Sequence, residues 1–190
     1  QVLLDMLADV AQPGETRAEA LAVLGQLGHP SLSSLVQAAL TDSSPRVRSE
    51  ARDLLAKQAP ADAIPLLAEA IAFGTTTEAQ RALETFASLK DPAVDTILAG
   101  LLDRLAQGDL PPELHLELVE TAQKTEADDV RKRLDRYLDT RKGAGPAAPY
   151  LEAMAGGDAA RGRRIFFEKV ETSCVRCHRV GDTGGEVGPK

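Results

Sequence analysis

The stretch Asp42-Ser43-Ser44-Pro45-Arg46-Val47-Arg48-Ser49-Glu50-Ala51 decides the fold. A turn runs into Ser44 as a helix N-cap. Pro45 follows at the first helical position, where no N–H is needed and a fixed φ is already helical. The spacing predicts a helix from here to about 58. Ala51 is the key to the rest. Ala20 and Ala82 lie 31 residues to either side of it. The same offset aligns Leu24, Leu55 and Phe86, then Leu35, Leu66 and Ile97, then Val36, Leu67 and Leu98, then Leu40, Ile71 and Leu102. Pro30 and Pro92 fall two periods apart. A fixed period of this size marks a repeat architecture. Small residues recur where two helices touch and large aliphatics where a shared core forms. Each unit therefore reads as two helices joined by a short turn.

Start and stop signals extend this reading in both directions. Pro13-Gly14 makes a turn before a helix at 15–27, Gly28 suits the position after its end, and Pro30 opens a partner at 31–41. The helix begun at Pro45 pairs with one at 61–73. Thr75 and Glu78 have capping-box spacing before a helix to about 89. Asp91-Pro92 starts its partner, which runs to about 106. Gly108 and Pro111-Pro112 break the chain and lengthen the spacing. A fourth pair is expected at 112–124 and 127–141, where Val130, Leu134 and Leu138 match Val94, Leu98 and Leu102 at an offset of 36. Val2 to Val10 reads as the second helix of an earlier pair, with fraying expected there.

The Asp42–Ala51 stretch, with an Asp, then a Val-Arg pair, then a small residue, resembles the HEAT-repeat family over about residues 1–141. The resemblance implies an all-α fold, an α-solenoid of HEAT-like helical hairpins with one core running between neighbours. Its surface is expected either to dock a protein partner or another domain, or to act as a spacer. Nothing catalytic stands out in it. His29 follows Gly28 at a helix end, where its imidazole is expected to meet free carbonyls, and His115 is expected at the surface. Arg131-Lys132-Arg133 alternates with Asp128, Asp129 and Asp135 and reads as a solvated face.

The 190 residues are 43% hydrophobic but only 3% aromatic, without tryptophan, which favours helices packed through small side chains. A net charge of −7 argues against a general nucleic-acid binder. The charge is uneven. From Asp158 to Lys190 there are seven Lys/Arg against five Asp/Glu, a balance of +2, which leaves 15 against 24, or −9, for the rest.

Residues 142–156 read as a linker, rich in Gly, Ala and Pro at its start, with a short helix from Tyr150 to Ala155. Asp158 then caps a helix at 158–171. Beyond it lies Cys174-Val175-Arg176-Cys177-His178, the C-x-x-C-H spacing of c-type haem attachment. Two thiols three positions apart can each add across one porphyrin vinyl group, and the adjacent imidazole can then bind the iron. The alternatives are half of a zinc site, which needs a second ligand pair, a thioredoxin-like redox pair, which needs a βαβ context, and a chance pentapeptide. The chain has only these two cysteines, so no disulfide is expected.

Gly157-Asp158-Ala159-Ala160-Arg161-Gly162-Arg163-Arg164-Ile165-Phe166-Phe167 is similar to the N-terminal helix of class I cytochromes c. Gly162 and Phe166 match the positions where that family's C-terminal helix crosses. Gly184-Gly185-Glu186-Val187-Gly188-Pro189 resembles the family loop whose proline carbonyl accepts a hydrogen bond from the proximal His. The resemblance implies that 157–190 is the N-terminal, truncated portion of a cytochrome c domain. It would hold one covalent haem c through Cys174 and Cys177, with His178 as iron ligand and Pro189 orienting that imidazole. The family's sixth ligand is usually a downstream Met. Met6 and Met154 lie upstream, and Met154 is expected to pack a helix instead. A closed haem crevice is therefore not expected within these residues, and the sequence reads as a piece of a longer protein.

Helical repeats followed by such a haem segment resemble the exported, membrane-bound dehydrogenase-like haem proteins of planctomycetes. This implies a periplasmic or cell-envelope location, electron transfer rather than catalysis by this stretch, and a redox partner protein or a dehydrogenase domain of the same parent chain. No signal peptide and no transmembrane run is present in these residues. Arg161, Arg163, Arg164, Arg176 and Arg179 either steer an acidic redox partner or are solvated charges. Two other readings stand beside this one. One is an interaction scaffold with a non-functional haem segment. The other is a haem enzyme such as a peroxidase, for which no distal His–Arg pair lies near the motif.

Overall fold

The computed structural model describes residues 1–142, 145 and 148–188. They divide into two compact units, Gln1–Ala153 and Met154–Lys190. Among the described residues no helix is long and apolar enough to cross a membrane.

The first unit is an array of helical hairpins. Helix α1 (Val2–Ala8) precedes four pairs: α2 (Gly14–Gln26) with α3 (Leu32–Ala39), α4 (Pro45–Gln58) with α5 (Pro60–Phe73), α6 (Thr76–Phe86) with α7 (Pro92–Gln107), and α8 (His115–Lys124) with α9 (Asp128–Asp139). A 3-10 turn, Pro112–Leu114, leads into α8. The first helices of the pairs pack in series, α2 on α4, α4 on α6 and α6 on α8, while α7 packs on α9. This is the α-solenoid expected from the 31-residue period.

The repeat columns bury as columns. Ala20, Ala51 and Ala82 are all buried, as are Leu24, Leu55 and Phe86, and Val36, Leu67 and Leu98. Leu35, Leu66 and Ile97 are all half-buried. After the longer loop, Val130 and Leu134 repeat the burial of Val94 and Leu98. Each large aliphatic taken fully from water contributes about 1.5–3 kcal/mol, so stacking one hairpin on the next supplies what a lone hairpin cannot.

Helix ends follow local chemistry. Gly28 sits at φ +60, its N–H bonding Gly25 O while His29 N–H reaches back to Leu24 O at 3.1 Å, a Schellman closure. Thr75 and Glu78 form the capping box, and the Asp91 carboxylate accepts from Ala93 N–H at 2.8 Å. Ser44 differs from expectation. Its backbone is extended before Pro45, but its side chain caps nothing. The Asp42 carboxylate instead accepts from Ser44 N–H at 2.8 Å. Asp42 also pairs with Arg17, so this turn is fixed from the neighbouring helix.

Charged groups stitch successive repeats. Glu78, 2% exposed, accepts from Arg48 Nε and Nη2 at 2.8 and 2.7 Å and from Arg52 Nη1 at 2.9 Å, while Thr75 N–H donates to it at 3.1 Å. Burial alone would raise its pKa. The hydrogen bonds from Arg48, Arg52 and Thr75 outweigh burial and hold it at about 2. Asp53 likewise receives Arg81 Nε at 2.6 Å and the Thr85 hydroxyl. Arg133 reaches Asp103 at 2.6 Å, so within the run 131–133 it bridges α9 to α7 instead of facing water alone.

The second unit holds α10 (Ala159–Glu168), the single turn α11 (Cys174–Cys177) and a two-stranded hairpin, β1 (Arg179–Val180) with β2 (Thr183–Gly184). Asp158 caps α10 as expected, accepting from Arg161 N–H at 2.9 Å. The helix stops at Glu168, short of 171: Lys169 turns extended (φ −80, ψ 105), and the Thr172 and Ser173 hydroxyls donate to Lys169 O and Val170 O. Local Ser/Thr bonds of this kind compete with helix propagation. The 3-10 segment Ala148–Met154 stands where a short helix was expected from Tyr150. Met154 is 82% exposed and packs no helix.

Candidate functional site

Cys174 and Cys177 lie at the two ends of α11, so one helical turn carries both thiols. Ser173 enters it in the left-handed region (φ 49). Cys174 is half-buried and Cys177 exposed. His178 N–H closes the turn on Cys174 O at 3.0 Å, and the chain leaves His178 extended at φ −103, ψ 144. Imidazole and thiols thus occupy one turn and its exit, where they could hold a covalent haem. Among the described residues, no three His, Cys, Asp or Glu side chains gather as a metal-holding set, whereas a zinc site at these cysteines needs further ligands.

A glycine strap lies across this turn. Gly185 N–H donates to Val175 O at 2.9 Å and Gly188 N–H to Cys177 O at 2.6 Å. A Cβ on Gly185 would stand 2.0 Å from Arg176 O, and one on Gly184 2.1 Å from His178 O. A Cβ on Gly188 would stand 2.7 Å from Cε1 and 2.8 Å from Nδ1 of His178. At 184 and 185 the obstructing atoms are backbone, so these two positions admit only glycine if the strap is to touch the histidine turn; a side chain at 188 would displace the His178 ring. Pro189, the expected partner of the His178 imidazole, lies outside the described residues.

No residue of α10 is fully buried. Phe166 is half-buried and meets Phe167 edge-on at 4.9 Å between centroids. The place of a Cβ on Gly162 has no atom within 4 Å. Of the basic residues, Arg163 lies over the Phe167 ring at 4.7 Å, and Arg179 pairs with Glu186. Sequence reasoning missed that last pair.

In the first unit the histidines take structural places. His29 Nδ1 accepts from Ser31 N–H at 3.2 Å instead of meeting carbonyls, because the His29 backbone already closes α2. His115 is half-buried, with Nε2 3.0 Å from Leu110 O, instead of standing at the surface. Tyr137, Arg141 and Glu152 form a buried cluster that ties the segment after α9 to the last repeat. The Tyr137 hydroxyl donates to Glu152 Oε1 at 3.1 Å, and Arg141 Nη1 pairs with the same oxygen at 3.1 Å. Burial, aided by the Glu152 charge and opposed by Arg141, pushes Tyr137 up to about 12.

The first helices of the pairs also carry acidic columns, Glu19 and Glu50 at one repeat position, Asp53 and Glu84 at another. Burial, with Asp53 and Glu19 nearby, raises Glu50, and burial beside Glu84 and Glu120 raises Glu117. A cleft of about 280 Å³ opens between the α6–α7 and α8–α9 turns, floored by Phe86, Val94 and Leu98 and rimmed by Lys90 and Lys124.

A family model described as HEAT repeats matches residues 1–90. The match falls on the hairpin array. No curated protein and no solved structure matches the chain.

Proposed function

We propose that the hairpin array is a scaffold for protein interaction, and that the C-terminal segment it accompanies attaches one haem c for electron transfer. The HEAT match over residues 1–90, together with hairpins stacked on a common core, supports the scaffold. The observation that favours the haem reading is the strap. Gly184 and Gly185 leave no room for a side chain where 184–188 lies on the turn that holds Cys174, Cys177 and His178, and a side chain at 188 would displace the His178 ring.

Cys174 and Cys177 would supply the two thioether anchors and His178 the iron ligand. Haem, when bound, supplies a one-electron iron couple. The chain's own part is to present both sulfurs from one turn, to fix the imidazole, and to leave α10 with an unburied face beside it. Attachment of this kind belongs outside the cytoplasm, so a periplasmic or cell-envelope location goes with the reading. Its partners would be a redox protein or a dehydrogenase domain of the same parent chain.

The test is expression of residues 1–190 in an exporting host with haem c maturation machinery, followed by a haem stain of a denaturing gel. A stained band, lost in Cys174→Ser/Cys177→Ser, supports attachment. A folded, helical, unstained chain leaves the scaffold as the working part.

A further inference from the structure

The glycines at 184, 185 and 188 permit the strap to lie on the histidine turn, but they do not hold it there. Glycine loses more backbone freedom on ordering than any other residue. Something must offset that cost. Arg179 is placed to do so. It follows His178 directly, and it stands opposite Gly184 in the β1–β2 pairing. Its Nε donates to Gly181 O at 3.2 Å, in the hairpin turn, and its Nη1 pairs with Glu186 Oε1. One side chain thus ties both the turn and the middle of the strap to the residue next to the imidazole.

We infer that Arg179 and Glu186 are positioning residues, a latch that holds the strap 184–188 over the Cys174–His178 turn and sets the His178 imidazole before haem is attached. The purpose of the latch rests on the haem-attachment reading; its existence does not. The mechanism is electrostatic and local. Glu186 lies between Gly185 and Gly188, whose N–H groups bond Val175 O and Cys177 O. Releasing Glu186 loosens both bonds, and with them the ring that Gly188 touches. Glu186 is largely exposed and Arg179 partly so, so the latch is sensitive to salt.

The test uses the full chain without haem. Amide hydrogen exchange is followed at Gly185 and Gly188, with the His178 ring resonances as a second signal. In Glu186→Gln both amides should exchange about two- to five-fold faster, the range of an exposed ion pair, and the His178 ring signals should shift. The exchanged pair Arg179→Glu/Glu186→Arg should restore both readouts. High salt should move the wild-type rates toward those of Glu186→Gln. Gly185→Ala, whose Cβ would stand 2.0 Å from Arg176 O, should open the strap further than Glu186→Gln does. Unchanged exchange in Glu186→Gln, or no restoration in the exchanged pair, overturns the latch. Exchange that responds as expected in a chain that takes up no haem upholds the latch and overturns the haem reading.

Discussion

Replacing Glu78 by Gln should cost the hairpin array about 2–3 kcal/mol at pH 7. The figure comes from the site. Glu78 is buried and accepts from two guanidiniums and the Thr75 N–H. Together these hold its pKa at about 2 against an ordinary 4.5. A shift of that size corresponds to about 3.4 kcal/mol of preference for the charged form in the folded state. Gln keeps the shape and one acceptor, so part of that is retained. The sign of the pH dependence follows from a depressed carboxyl. The contribution is fully present above the unfolded value of 4.5 and is lost as pH falls toward 2. By pH 3 about 2 kcal/mol of that contribution is lost, so the wild-type advantage should have shrunk to about 1 kcal/mol or less. Urea denaturation of both proteins at pH 7 and pH 3, followed by far-ultraviolet circular dichroism, reads the difference directly. Comparing the variant with wild type at each pH cancels the other carboxylates, Asp42 included. A difference under about 0.5 kcal/mol at pH 7, the size expected of a surface pair, would refute the reasoning. So would a difference that does not shrink at pH 3.

Other sites make independent tests. Phe86→Ala empties a fully buried position at the α6 end and should cost about 3–5 kcal/mol in the same denaturation experiment. Asp91→Ala removes the bond to Ala93 N–H that caps α7 and should cost about 1 kcal/mol. Of the two tyrosines, Tyr137 should remain un-ionised until about pH 12 in an ultraviolet absorbance titration. Because its folded pKa is raised above 10, the stability it contributes is complete below pH 10 and is lost as pH rises toward 12.

What could be read from sequence was what repeats or acts locally. The 31-residue columns set the burial of Ala51, Leu67 and Phe86, because a solenoid places equivalent residues in equivalent surroundings. Gly28, Thr75 and Asp91 work within one turn of themselves, so their caps were visible. Arg48 and Glu78 are 30 residues apart, and nothing in either neighbourhood announces that they meet; only stacked hairpins bring them together. Ser44 misled for the same reason, since Asp42, held by Arg17 from α2, fixes the turn through Ser44 N–H while the Ser44 side chain caps nothing. In the second unit the spacing of Cys174, Cys177 and His178 named the residues of interest, but neither the turn that carries them nor the strap of glycines across it was read from the sequence. The Arg179–Glu186 pair was not legible, because it depends on the hairpin folding back.

The most direct measurement is the intact mass of the full chain made in an exporting host with haem c maturation machinery. The account predicts a gain equal to one haem, absent in Cys174→Ser/Cys177→Ser. A folded helical chain with no mass gain, or a gain that survives loss of both cysteines, would contradict it.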